Sequence, residues 1–246
     1  MTKLDLNSRS MTENQDAIVR VLQGSTSPAL MAHQLEQFHE NDIAAALPLL
    51  TGPQRTKLLR VLNPDTLSTV FSYLDEPAPL LEALDIRKAV DIISGMEADD
   101  AVGVLRQLSK AKRDALLDMI PAEQKKDILL VASYDEDEIG SYMTTDFIQV
   151  PLTDTAEAAM ASLSRQAQDT ENISTLYVLA ADGTFFGALP LRDLIIAPKA
   201  STVQDLCQTS YPYVYGREQL DDCMETLKDY SEDSIPVLDA QNRVLG

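Results

Sequence analysis

Histidine and cysteine are scarce in this sequence, and each scarcity removes a class of chemistry. Two histidines, His33 and His39, stand six apart, too far for an i, i+4 metal pair on a helix, and no hydrolytic triad can be built around them. Two cysteines, Cys207 and Cys223, lie sixteen apart without a C-x-x-C pair, so they read as small core residues of a reducing compartment. There is no phosphate-binding Gly-rich loop and no Gly-x-Ser-x-Gly elbow, and catalysis is not expected. No apolar run approaches the roughly 18 residues a membrane span requires, and no signal-peptide core opens the chain, so the piece itself is expected to be soluble.

Basic side chains are the next shortage. The formal net charge is −19 over 246 residues, and it is uneven. Residues 1–133 hold 19 acidic and 14 basic side chains, while 134–246 hold 20 acidic and six basic, so the second part carries 14 of the net negative charges. Such a field repels phosphate backbones and attracts cations, which argues against nucleic acid as a partner. Length and this asymmetry predict two domains.

From residue 29 to 132 apolar residues recur at three and four in short runs such as "DTLSTVFSYL", "KAVDIISGM" and "AVGVLRQL". Proline or acidic residues open several of them, as in "NPDTL" and "MEADDAVGVL". Short helices of similar length cannot each bury a face alone and must stack on their neighbours, which predicts an armadillo-like right-handed superhelix over 28–133. Residues 1–27 read as a polar tail with one weak helix over 14–23.

The stretch "YDEDEIGSYMTTD" (134–146) has nearly the spacing of a calcium loop, with Asp135, Asp137, Gly140 and Asp146 at positions 1, 3, 6 and 12. Ile139 at position 5 offers no oxygen, and Asp146 replaces the usual closing glutamate. The competing reading is a solvated acidic linker over 134–142, exposed between the domains.

Beyond it the sequence repeats. "STLYVLAADGTFFG" (174–187) matches "DSIPVLDAQNRVLG" (233–246) at an offset of 59, and upstream Val150, Met160 and Leu163 fall on Val214, Met224 and Leu227 at an offset of 64. Each copy reads strand, helix, strand, strand, and the first adds "GALPLRDLI", a strand and a helix start. This unit resembles a CBS domain. The tandem predicts a first copy over 143–200 and a second over 201–246 that stops at Gly246 before its closing strand and helix, as expected of a longer parent chain.

Short-helix superhelix, the "YDEDEIGSYMTTDFIQV" linker and a CBS pair, in that order, resemble the cytosolic region of MgtE-family magnesium channels and transporters. The expected fold class is therefore α followed by α/β. The resemblance implies a region at the cytoplasmic face of the inner membrane, attached to a transmembrane pore of the same parent chain. There it binds Mg2+ between N and CBS domains and closes the pore when the ion is abundant. It further implies a homodimer through the CBS domains.

Candidate ligands follow. Asp99 and Asp100 sit in a first helical turn, where the helix dipole alone favours carboxylates, and the resemblance makes Asp99 a magnesium ligand. In "LDDCMETLKDYSED", Asp222, Glu225 and Asp229 fall on one face if the helix runs through them, a pattern equally suited to a solvated face. The resemblance makes Asp221 a ligand and expects another at Ser231, with Asp229 or Glu232 as substitutes; Thr69 stands where family members often carry a glutamate. CBS pairs also hold adenine nucleotides, which by resemblance assigns Arg192 and Asp193 to an ATP ribose step, although Thr175 replaces an aromatic near the base. Two rival readings remain open: an adenine-nucleotide-sensing CBS regulator of another protein, and a structural assembly module akin to flagellar switch repeats.

Overall fold

A computed structural model describes residues 3–246 except 169 and 171. It divides into two compact units, one of Met1–Met96 with Asp100–Lys125, the other of Glu97–Asp99 with Lys126–Gly246.

The first unit is helical. Its elements are α1 (Lys3–Gln23), α2 (Pro28–Leu35), α3 (Glu40–Ala46), α4 (Gly52–Val61), α5 (Pro64–Ser72), α6 (Ala78–Ala83), α7 (Ile86–Ser94), α8 (Ala98–Gln107), whose first two residues count with the second unit, α9 (Lys110–Met119) and α10 (Ala122–Val131), which runs on into the second unit. The helix expected over 14–23 begins at Lys3, because neither proline nor glycine interrupts the chain before Gly24. Side chains that satisfy otherwise unbonded N–H groups start the others. Asn63 accepts from the Thr66 N–H, Asp85 from Arg87 and Ser109 from Lys112. His39 plays the same part, its Nδ1 accepting from the Asn41 N–H at 3.1 Å, which gives this exposed histidine a structural task.

Stacking is sequential, as the short runs predict. Helix α1 packs on α3, α3 on α5, α5 on α7 and α7 on α9. The row buries Ile18, Ile43, Leu67, Phe71, Ile92 and Leu116 completely. At the α5–α7 step the buried Ser68 hydroxyl donates to the Ile92 carbonyl at 2.7 Å. Gly95 admits that approach, since a Cβ there would lie 2.6 Å from Ser68 Oγ.

Helix C-termini are closed by a device the sequence hides. The Lys57 ammonium donates to the carbonyls of Leu22 and Gly24 at the end of α1, Lys88 to Leu59 near the end of α4, and Lys112 to Leu84 after α6. Each lysine places a cation on carbonyls left over at a helix end, where the macrodipole is negative.

The second unit is α/β. Its first half runs β1 (Ile148–Pro151), α11 (Ala156–Gln166), β2 (Thr175–Leu179), β3 (Phe185–Pro190) and α12 (Leu191–Ile196). β1 pairs parallel with β2 and β2 antiparallel with β3, in the order β1-β2-β3. The second half runs α13 (Val203–Leu206), β4 (Val214–Tyr215), α14 (Leu220–Leu227) and β5 (Val237–Leu238), with β4 parallel to β5 and an antiparallel bridge from Leu238 to Val244. The repeat is visible in the register. Val150 pairs with Val178 in the first copy, and Val214 with Val237 in the second. The core of the first copy gathers Ile148, Val150, Leu163, Leu176, Val178 and Leu189.

Candidate functional site

The acidic stretch has a definite structure. Tyr134, Glu138, Gly140 and Ser141 are buried, while Asp135, Glu136 and Asp137 face solvent. Glu138 Oε2 accepts from Arg217 Nη1 at 2.6 Å and from the Asp135 N–H at 2.8 Å. The Arg217 guanidinium also lies 4.6 Å from the centre of the Tyr134 ring, a cation–π contact. Backbone bonds complete the seam: the Ile139 N–H donates to Glu218, Gly140 to Gly216, and Leu220 to the Asp137 carbonyl. A Cβ on Gly140 would meet the Tyr134 ring at 2.7 Å and the Gly216 carbonyl at 2.8 Å, so this glycine is required by close approach. Burial raises the Tyr134 phenol above its ordinary pKa, the nearby guanidinium opposing the shift.

This geometry excludes one of the two readings of the stretch and corrects the other. The calcium-loop reading fails, because Ile139–Tyr142 form a 3-10 turn, the Gly140 N–H and Asp137 carbonyl are committed to backbone partners, and Glu138 is taken by Arg217. A wholly exposed linker fails as well, since half of this segment is a seam laced to the α14 side of the second unit.

The sequence-predicted ligands fall at the heads of two helices. Asp99 and Asp100 occupy the first turn of α8 and are partly buried; Asp221 and Asp222 occupy the first turn of α14 and are exposed. Asp229 departs from expectation. α14 ends at Leu227, with Lys228 as its cap, so Asp229 lies in the turn beyond it and not on a helical face with Asp222 and Glu225. The helix stops there because Tyr230, the next apolar side chain at helical spacing, stays exposed instead of packing, and Asp and Ser in "DYSED" favour turns. Glu225 pairs with Lys228 at 3.4 Å, and Ser231 and Glu232 are exposed. Thr69 is exposed, its hydroxyl donating to the Asp65 carbonyl at 3.4 Å. Among the described residues no group of three or more His, Cys, Asp or Glu side chains is gathered as a metal cage. What the structure offers instead is adjacent carboxylate pairs, a donor set suited to magnesium, which keeps most of its waters and takes one or two carboxylates.

A cleft of about 210 Å³ opens in the second unit, lined by Phe147, Tyr177, Thr175, Ser234 and Ile235 among others. Its aromatic and apolar walls with a few hydroxyls suit a planar base. Among the described residues Asp146 is its single charged lining residue and no lysine or arginine lines it, so a triphosphate there would need its charge balanced by a cation. Arg192 and Asp193, in the first turn of α12, do not line this cleft. Tyr177 donates to Ser234 Oγ at 3.2 Å, and burial pushes its phenol up to about 12.

Comparison with known proteins places these units. Residues 38–137 match the MgtE intracellular N domain, and residues 139–200 match the CBS domain. The magnesium transporter MgtE of Thermus thermophilus is 29% identical over 217 residues, covering 86% of this chain and 48% of the relative. Its namesake in Enterococcus faecalis is 28% identical over 125 residues, 51% of this chain and 28% of the relative. The chain thus spans about half the length of the first relative and less of the second. Among solved structures, the soluble part of a magnesium transporter superposes with a TM-score of 0.86 at 24% identity, covering 96% of this chain and 93% of that one. The cytosolic domain of the Mg2+ channel MgtE in complex with ATP superposes with a TM-score of 0.83 at 28% identity, covering 88% and 89%.

Proposed function

From the matches of residues 38–137 to the MgtE intracellular N domain and of 139–200 to a CBS domain, we propose that the chain is the magnesium-sensing cytosolic region of an MgtE-family magnesium transporter or channel. Its place is the cytoplasmic face of the inner membrane, as a homodimer through the CBS domains, and its task is to close the pore of the parent chain when intracellular magnesium is high. The observation that carries this reading is the match to an MgtE relative along 86% of the chain. No reaction is assigned to it.

The chemistry is electrostatic. A unit carrying most of the net negative charge repels itself until cations screen and bridge its carboxylates. Asp99, Asp100, Asp221 and Asp222 supply paired oxygens at the heads of α8 and α14, and magnesium supplies the positive charge between waters it retains. One such site is too weak to act alone. A swing from 1:99 to 99:1 requires about 5.5 kcal/mol of differential binding, so several sites act together.

A second reading is supported by the ATP complex of a relative 28% identical to this chain. The cleft beside Tyr177 takes an adenine base, and the phosphates reach solvent, where magnesium neutralises them.

Small-angle scattering and thermal unfolding across the millimolar magnesium range, at constant ionic strength, test the first reading. Compaction with a rise in Tm is expected, because an ion that binds one form stabilises it by mass action. An unchanged radius and Tm would remove it. Calorimetric titration with ATP, with and without magnesium, tests the second.

A further inference from the structure

The first unit carries a feature that magnesium sensing does not use. Two hollows adjoin on its surface, with Arg55 and Leu80 lining both. One, of about 580 Å³, is lined by Ala44, Leu47, Leu74 and Pro79, with the exposed Asp75 and Glu76 at its edge. The other, of about 400 Å³, is lined by Leu59, Ala83 and Leu84, with Arg60 and Lys88. Leu80 thus lends apolar surface to both hollows, while their charged lining differs: Asp75 and Glu76 in one, Arg60, Lys88 and Asp85 in the other.

The basic end is unusual in so acidic a chain. Arg60 is exposed, and Lys88 is desolvated with Arg60 close enough that both effects lower its pKa, with Asp91 opposing. Arg55 is held in place between the hollows by its Nε bond to the Leu50 carbonyl at 3.1 Å. Asp85, which also lines this hollow, uses its carboxylate to cap α7.

We propose that these joined hollows form a docking groove for an amphipathic polypeptide segment, with an apolar stripe over Leu80, carboxylates meeting Arg60 and a basic end meeting Asp75 and Glu76. Charge complementarity commits the groove to this occupant. A small polyanion would satisfy Arg60 but leave the apolar lining and the acidic edge unmatched. A purely apolar partner would strip water from Arg60 without a counter-charge. Stacked-helix proteins present extended grooves of this kind to peptides, and a helix laid in a groove reads it through apolar anchors flanked by charge.

The test uses the full chain and a fluorescein-labelled amphipathic peptide with leucines at helical spacing, glutamates at one end and lysines at the other. Fluorescence anisotropy should show saturable binding, independent of magnesium and absent for a scrambled isomer. Arg60→Glu should weaken binding on the order of tenfold by setting like charges together, and a peptide with lysine in place of its glutamates should recover affinity for that variant. Ala83→Trp, at an exposed position, should block the second hollow without changing charge, and circular dichroism confirms that both variants fold. Binding no better than the scrambled isomer at millimolar protein, or binding indifferent to both variants, would overturn the proposal. So would Arg60-dependent binding of inorganic tripolyphosphate that displaces the peptide, which would make the basic end a free polyanion site.

Discussion

Arg217 Nη1 lies 2.6 Å from Glu138 Oε2 while its guanidinium covers the Tyr134 ring, so residues 79 positions apart are clasped. The Glu138 side chain is 12% exposed and that of Arg217 62%, which makes the two ends of the clasp unequal. Glu138→Ala strands the Asp135 N–H and should destabilise the second unit by about 2 kcal/mol. Arg217→Lys keeps a charge but loses the planar stack, and should cost about 1 kcal/mol. Asp137→Asn, on an exposed side chain, should stay within about 0.5 kcal/mol. Urea unfolding of the three variants checks the order; equal losses would mean that net charge, and not the clasp, is being read.

The same seam redirects proteolysis. Ile139 and Gly140 have their N–H groups bonded to Glu218 and Gly216, whereas residues 228–233 are exposed and lie outside helix and strand. A glutamate-specific protease should therefore cut at Glu232 before Glu138. Mass spectrometry of the first fragments decides it, and early cleavage at Glu138 would show that the seam opens readily.

Alkaline pH should weaken the fold through Tyr177. Its folded pKa of about 12 lies above the ordinary value of 10, chiefly because burial disfavours the phenolate. Below pH 10 both states keep the proton and the stability is intact. Between 10 and 12 the unfolded chain ionises first, and stability falls by about 2 kcal/mol. Denaturation midpoints from pH 8 to 12 should show this decline together with that of Cys207 and Cys223, whose thiols burial pushes up to about 11, and Tyr177→Phe should remove only the part that falls between pH 10 and 12 through Tyr177.

For the magnesium response, Asp99→Asn and Asp221→Asn should each raise the magnesium midpoint severalfold, on the order of 1 kcal/mol of coupling. The double variant should fall short of the sum if the two carboxylates act on the same ions. Scattering titrations check this against Asp16→Asn. Strictly additive shifts, or an equal shift in that control, would assign the effect to bulk charge.

Much of the fold was legible because it is periodic. Short apolar runs announced the row of helices, and the two offsets in the second part reappear as the paired valines Val150–Val178 and Val214–Val237. Even the turns agree: Gly183 and Asn242, 59 apart, both adopt positive φ, 83° and 60°. Contacts set by tertiary distance were not legible. Nothing in "YDEDEIG" reveals that Glu138 meets Arg217, and Lys57, Lys88 and Lys112 reach helix ends 28 to 35 residues away. Asp229 was misplaced for a local reason, since charge spacing continues past Leu227 although the apolar contacts that sustain the helix do not.

The row of odd-numbered helices has a thermodynamic corollary. Because α3, α5 and α7 each lean on the next member of the row, cooperativity there is passed along by nearest neighbours instead of through one shared centre. A lesion such as Phe71→Ala would then melt the α5 neighbourhood first and leave distant members protected. Amide exchange along this unit should grade outward from the damaged step, a gradient that a single indivisible core could not sustain.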